Sequence, residues 1–129
     1  MTEIREEKAE DIAAIRNVNE QAFGQSQEAD LVDALRRSCR EILSLVAVVD
    51  GQIIGHLLLS PVAVETDKKR ALGMGLGPMA VLPGYQRQGV GTQLIQDGIK
   101  KLRDSGCPFM IVGDVSTMLV CVSNYLIYL

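Results

Sequence analysis

The sequence predicts an α/β (α+β) domain of mixed element order, and three observations carry that prediction. In the first quarter of the chain, apolar residues recur at helical spacing. Two apolar runs flank Asp50-Gly51, a dipeptide that favours a tight hairpin because both positions tolerate positive φ. Further on, an apolar run breaks into a cluster of glycines and then resumes as an amphipathic segment, the pattern of strand, turn and helix.

Taken in order, residues 2–5 read as a short first strand. From Ala9 to Phe23, apolar side chains fall at Ile12, Ile15, Val18, Ala22 and Phe23, which places them on one helical face. A second helix begins near Glu28, with Leu31, Val32 and Leu35 together on a face. "LSLVAVVDGQIIGHLLLSPVAVE" reads as two apolar strands joined at Asp50-Gly51, and Thr66 to Arg70 as a polar, basic loop. "ALGMGLGPMAVLP" is the next strand. A helix from Gly89 to Ser105 turns Leu94, Ile95, Ile99 and Leu102 inward, and Gly106 and Pro108 stop it. "PFMIV" closes the series as a buried strand. With no internal repeat and no linker, residues 1–129 read as one domain.

Composition excludes several classes of function. The 129 residues are 47% hydrophobic and 22% charged, the balance of a globular chain. A net charge of −3 without a basic run argues against nucleic acid as a partner, because duplex binding rests on clustered Lys and Arg. No apolar run approaches the ~18 residues of a membrane span, and no leader pattern opens the chain. Cys39, Cys107 and Cys121 are odd in number, widely spaced and outside any C-x-x-C, so they read as core thiols of a reducing compartment. The expectation is a cytoplasmic protein without a membrane partner. His56 is the only histidine, which disfavours a metal site.

The chemistry concentrates in "PGYQRQGVGTQLI", residues 83–95. Glycines between a strand and a helix let the chain turn sharply and bare its N–H groups. The first N–H groups of a helix lack internal partners and, with the helix dipole, form an anion site. Thr92 adds a hydroxyl donor, and Gln86 and Arg87 add side-chain donors, a set that suits a pyrophosphate. A nucleoside triphosphate loop is disfavoured because Val90 stands where lysine is required. A dinucleotide fingerprint is disfavoured because Gly73, Gly75 and Gly77 alternate inside a strand, where they imply twist or a bulge.

Gln86-x-x-Gly89-x-Gly91 after "MAVLP" resembles motif A of the GNAT superfamily of acyl-CoA-dependent N-acetyltransferases. Val81, Leu82 and Pro83 match the strand end that precedes this motif in the family, and the resemblance covers roughly residues 1–113. It implies a mixed, mostly antiparallel sheet flanked by helices and incomplete at the C-terminus. It also implies acetyl-CoA as co-substrate, with acetyl passing to a primary amine of a small molecule or protein. Gln86, by its side chain, and the backbone N–H groups of Arg87, Gln88, Gly89, Val90, Gly91 and Thr92 would hold the CoA pyrophosphate. Met79, Ala80 and Val81 would pair with the pantetheine arm as a neighbouring strand does, in a slot opened where a bulge splays this strand from the next. The N–H near Val81 would polarise the acetyl carbonyl, a contribution of ~3 kcal/mol where such donors have been measured.

Acetyl transfer also requires acid–base groups. His56 is the candidate base or a neighbour of the acceptor amine; the alternative is a half-buried histidine satisfied by a backbone carbonyl. Ser60 is a candidate for the acceptor slot against a plain strand-end serine. Glu28 and Asp30 are candidates near the acceptor against simple complements to a helix dipole. Lys68, Lys69 and Arg70 read as a solvated loop, with the CoA 3′-phosphate as the functional alternative. Cys107 follows a helix C-terminus, where the dipole disfavours a thiolate, so no covalent enzyme intermediate is expected.

After "PFMIVGD" the resemblance stops, and against the family pattern residues 113–129 form an atypical tail of the single domain. The family continues with Tyr-Tyr-x-Arg-Phe-Gly-Phe, whereas this chain runs "VSTMLVCVSNYLIYL", and Tyr125 and Tyr128 take no role from the pattern. Val115, Ser116, Thr117, Met118 and Leu119 can be encoded GTT-TCT-ACT-ATG-CTC. Read from the third base, this becomes TTC-TAC-TAT-GCT, and the next C opens an arginine codon that Val120 completes, giving Phe-Tyr-Tyr-Ala-Arg. The expectation is therefore a truncated or out-of-frame end, which resequencing of the locus decides. The β-rich tail would add a strand to a sheet edge, its own or a partner's, and a homodimer is the expected assembly. The alternative functions are a CoA-binding module without turnover and an interaction domain without a cofactor.

Overall fold

The computed structural model describes residues 1–39, 41–65, 67–68, 70–111, 119–121 and 127–128. Their elements run β1 (Glu3–Glu6), α1 (Ile12–Phe23), α2 (Gln27–Ser38), β2 (Leu43–Val49), β3 (Gln52–Glu65), β4 (Arg70–Val81), α3 (Val90–Asp104), β5 (Phe109–Ile111), β6 (Leu119–Cys121) and β7 (Ile127–Tyr128). Short 3-10 turns at Ala9–Asp11 and Pro83–Tyr85 precede α1 and α3. The strands form one sheet in chain order, β1 to β7, antiparallel throughout except for the parallel pair β4–β5. This is the mixed, mostly antiparallel sheet that the family resemblance implied.

The hairpin forms where expected, with Asp50 at φ 51° and Gly51 at φ 76°, the left-handed pair a two-residue turn requires. The basic loop is shorter than expected: β3 runs to Glu65, and Arg70 already opens β4. Thr66 and Lys69 lie outside the described residues, as does Val112 of the expected last strand.

Side chains sort the sheet into two faces. Leu45, Leu57, Leu59, Val90, Leu94, Leu102 and Met110 form the core under α3, while Ile15, Val32, Val46 and Leu58 form the core under α1 and α2. Two bulges interrupt the ladders and set up the site. At the first, Ala47 faces Gly55 and Val48 faces Ile53, so Ile54 is the extra residue of β3. The bulge turns Ile54 into the α3-side core, whereas His56 and Leu58, two and four residues on, face α1 and α2. At the second, Leu57 faces Met79 and Leu59 faces Leu76, so Gly77 and Pro78 of β4 oppose Leu58 alone. Among the described residues, β4 pairs with β5 only through Met74–Met110 and Gly75–Ile111. Past the second bulge, the outer edge of β4 is thus unpaired within the described sheet.

No helix among the described residues is long and apolar enough to cross a membrane.

Candidate active site

The site is built where β4 gives way to α3. Met79, Val81, Tyr85, Gln86, Arg87, Gly89, Val90, Gly91, Thr92 and Ile95 line a single cavity of about 310 Å³. Most of the residues singled out in the glycine run and the strand before it therefore meet in one place. Tyr85 and Ile95 join them: Tyr85 sits on the turn within the quoted stretch, and Ile95 lies one helical turn beyond Gly91.

The backbone provides the donors. Arg87 stands at φ 64° and Gly89 at φ 84°. Left-handed residues alternating with ordinary ones turn successive N–H groups toward one concavity, the geometry of an anion nest. Gly89 is the N-cap of α3 and offers no side chain to satisfy the first turn. The first protein hydrogen bond of the helix is Gln93 N–H to Gly89 O, 3.0 Å. Among the described residues, none of the six N–H groups from Arg87 to Thr92 donates to another protein group. Nor does α3 carry an acidic residue in its first turn, while Lys101 and Arg103 sit in its last. Acidic residues in the first turn would offset the positive end of the dipole; with none there, that end stays available to an anion.

Strand geometry decides which groups of β4 are open. Leu82 N–H donates to Ile54 O at 2.8 Å, so Leu82 faces β3. Backbone direction alternates along a strand. Ala80, paired with His56, therefore also faces β3, whereas Met79 and Val81 present their N–H and C=O groups to the unpaired edge. The backbone groups of Met79 and Val81 are thus on the side where an extended ligand could pair with them. Those of Ala80 are not: its backbone points into the β3 ladder and its side chain is 2% exposed.

Two further expectations change. The side-chain amide of Gln86 donates to Val81 O at 2.9 Å, and that of Gln88 to Gly84 O at 3.3 Å. The Gln86 amide is thus engaged within the loop and not free as a side-chain donor to an anion, and the Gln88 amide, for which only the backbone N–H was expected, is engaged as well. His56 is not half-buried and not held by a backbone carbonyl. It is fully buried on the sheet face under α1, with Nδ1 3.2 Å from Asn19 Nδ2 and Nε2 2.8 Å from Ser44 Oγ. Asn19 Nδ2 also donates to Ile15 O, so it acts as donor to Nδ1, and the ring carries its proton on Nε2 toward Ser44. Burial, with the nearby Arg36 guanidinium adding to it, lowers the imidazole from 6.5 to about 3. A ring with both nitrogens engaged, no exposure and so low a proton affinity cannot serve as base for an amine. Asn19 and Ser44 carried no signal for this role, being separated from His56 by 37 and 12 residues.

The remaining candidates fall away from the cavity. Asp30 is ion-paired to Arg16 at 2.8 Å and Glu28 accepts from Gln25 at 2.8 Å, contacts that tie α1, its turn and α2. Ser60 pairs with Gly75 within the β3–β4 ladder. Lys68 and Arg70 lie at the far end of β4, roughly 35 Å from Val81 at strand rise. A larger cavity of about 500 Å³ also lies at that end, against Leu72, Leu102, Cys107 and Pro108. It abuts the C-terminus of α3, whose carbonyls repel an anion, so it suits a diphosphate less than the cavity at the N-terminus of α3 does.

The chain and its fold have relatives among known proteins. Residues 3–113 match the acetyltransferase (GNAT) domain family. Over 104 residues the chain is 42% identical to YjhQ, an uncharacterised N-acetyltransferase of Escherichia coli K12, covering 79% of this chain and 58% of that protein. Over 113 residues it is 36% identical to YhbS, another uncharacterised N-acetyltransferase of the same strain, covering 86% of this chain and 66% of that protein. The chain thus spans less than two thirds of the length of either relative. A GNAT family acetyltransferase from Brucella melitensis, crystallised with acetyl-CoA, matches the fold with a TM-score of 0.76 at 39% identity, over 89% of this chain and 77% of that one. YhbS from Escherichia coli, crystallised with CoA, matches with a TM-score of 0.76 at 32% identity, over 86% of this chain and 61% of that one. The chain belongs to the GNAT acetyltransferase family.

Proposed function

We propose that the chain binds acetyl-CoA and transfers its acetyl group to a primary amine. The observation that carries this reading is the run of six backbone N–H groups, Arg87 to Thr92, without protein partners among the described residues at the positive end of α3. They suit a diphosphate, and the open edge of β4 beside them suits an extended arm that pairs with Met79. In the reaction, the amine nitrogen attacks the thioester carbonyl, the C–S bond breaks, and the thiolate leaves with a proton shed by the amine. The N–H of Val81, directed to the open edge, stabilises the oxyanion that forms on the carbonyl. The described cavity holds no histidine or carboxylate, so His56 is not carried forward as the base.

The acceptor is a small-molecule or protein amine. Cys39 and Cys107 are free thiols, which suits a cytoplasmic setting. Calorimetry with acetyl-CoA, combined with thiol release over a panel of amines, tests the proposal. Binding with turnover supports the enzyme, binding without turnover supports a CoA-binding module, and no binding overturns both.

A further inference from the structure

We infer that Gln86 is a positioning residue that sets the last peptide of β4 for the thioester arm, and does not itself contact the diphosphate. The inference rests on the acetyl-CoA reading above. The peptide between Val81 and Leu82 is held at both ends. Its N–H, from Leu82, donates 2.8 Å to the carbonyl of Ile54, the extra residue of the β3 bulge. Its carbonyl, from Val81, accepts 2.9 Å from the Gln86 side-chain amide. The loop between these anchors is itself closed by Tyr85 N–H to Leu82 O, 2.8 Å.

This clamp has two consequences. It fixes the Val81–Leu82 peptide, and through the backbone dihedrals of Val81 it restrains the neighbouring Ala80–Val81 peptide, whose N–H points along the open edge. It also occupies Val81 O, the last acceptor on that edge, so an arm lying beside β4 finds its carbonyl partner at Met79. Gln86 thus ends the ladder and sets its register relative to the N–H groups of α3. Gln86 is exposed, and its amide makes no other hydrogen bond among the described residues. The bond therefore serves the loop's geometry more than the stability of the core.

The test uses the intact chain with three variants, Q86M, Q86E and Q86R. Methionine keeps the length and lacks a donor, glutamate keeps the shape and lacks a donor, and arginine retains N–H donors that reach a carbonyl. CoA affinity is measured by calorimetry, KM and kcat for acetyl-CoA by thiol release, and Tm by thermal unfolding. Q86M should weaken CoA by about 2- to 12-fold, the range of one net hydrogen bond, and raise KM in step. Tm should stay within about 2 °C, since the lost bond is exposed. Q86R should recover most of the affinity. Wild-type binding of CoA with Q86M within twofold of it overturns the clamp, as does equal weakening in Q86M and Q86R. Should Q86M fail to fold, the contrast between Q86E and Q86R carries the same decision. Failure of the wild type to bind CoA overturns the acetyl-CoA reading instead, so the two failures are distinct.

Discussion

Lowering the pH from 7.5 to 5 should destabilise this fold through His56 alone. The ring is fully buried, held by Asn19 and Ser44, and burial followed by the charge of Arg36 lowers its proton affinity from 6.5 to about 3. Below about pH 6.5 the unfolded chain takes up a proton that the folded chain refuses until about pH 3. The unfolded state then binds more protons, so stability is complete above pH 6.5 and declines as the pH falls through that window. Each tenfold difference in proton affinity between the two states corresponds to about 1.4 kcal/mol. The loss is therefore about 2 kcal/mol at pH 5 and about 3 kcal/mol at pH 4, out of a total stability that for a domain this size is typically ~5–15 kcal/mol.

The window is clean because His56 is the only histidine. Asp11, whose carboxyl is lowered first by the hydrogen bond from Arg5 and also by that from Lys8 N–H, loses its contribution only below its ordinary value of 3.8. Urea unfolding at a series of pH values, for the wild type and for His56→Gln, measures the effect. The wild type should lose about 2 kcal/mol between pH 7.5 and 5, and the variant should show little slope over the same interval. The imidazole resonance of the native protein should not titrate there. A flat wild-type profile, an equal slope in the variant, or a native imidazole titrating near 6.5 would refute the reasoning.

Three other expectations follow from named contacts. Thr92 is exposed in the first turn of α3, which has no acidic residue. Thr92→Glu should stabilise the free protein by about 0.3–1 kcal/mol through the helix dipole, yet weaken CoA at least 10-fold, as read by thermal unfolding and calorimetry. A Cβ at Gly73 would lie 2.6–2.7 Å from the ring of Phe109. Gly73→Ala should therefore cost about 1–3 kcal/mol by overpacking, while a saturating CoA titration shows unchanged affinity, since Gly73 is remote from the cavity. Self-association through the C-terminal sheet edge should give a dimer mass in light scattering at micromolar concentration; a monomer contradicts it.

What could be read in advance was local. The spacing of Ile12, Ile15 and Val18 specifies a helix without reference to anything distant, and so does Asp50-Gly51 for the hairpin. The glycine run specified its turn for the same reason. Where partners are distant, sequence was silent. Nothing in composition marks Ile54 as the extra residue of a bulge, because a bulge depends on the register of two strands. The environment of His56 depends on Asn19 from α1 and Ser44 from β2, which only the packed structure brings together. Gln86 and Gln88 have donors that suit a phosphate or a carbonyl equally, and only geometry selects Val81 O and Gly84 O. The glycines of β4 were legible as irregular, but their causes differ. Gly73 is crowded by Phe109, Gly75 by Val62, and Gly77 lies within the bulge itself.

The central claim concerns six amides and one strand edge, and backbone amide NMR during a titration with CoA addresses it directly. The largest shift changes should fall on Arg87 to Thr92, with Met79 and Val81 following along the open edge. Changes concentrated elsewhere, or none at saturating CoA, would contradict the account.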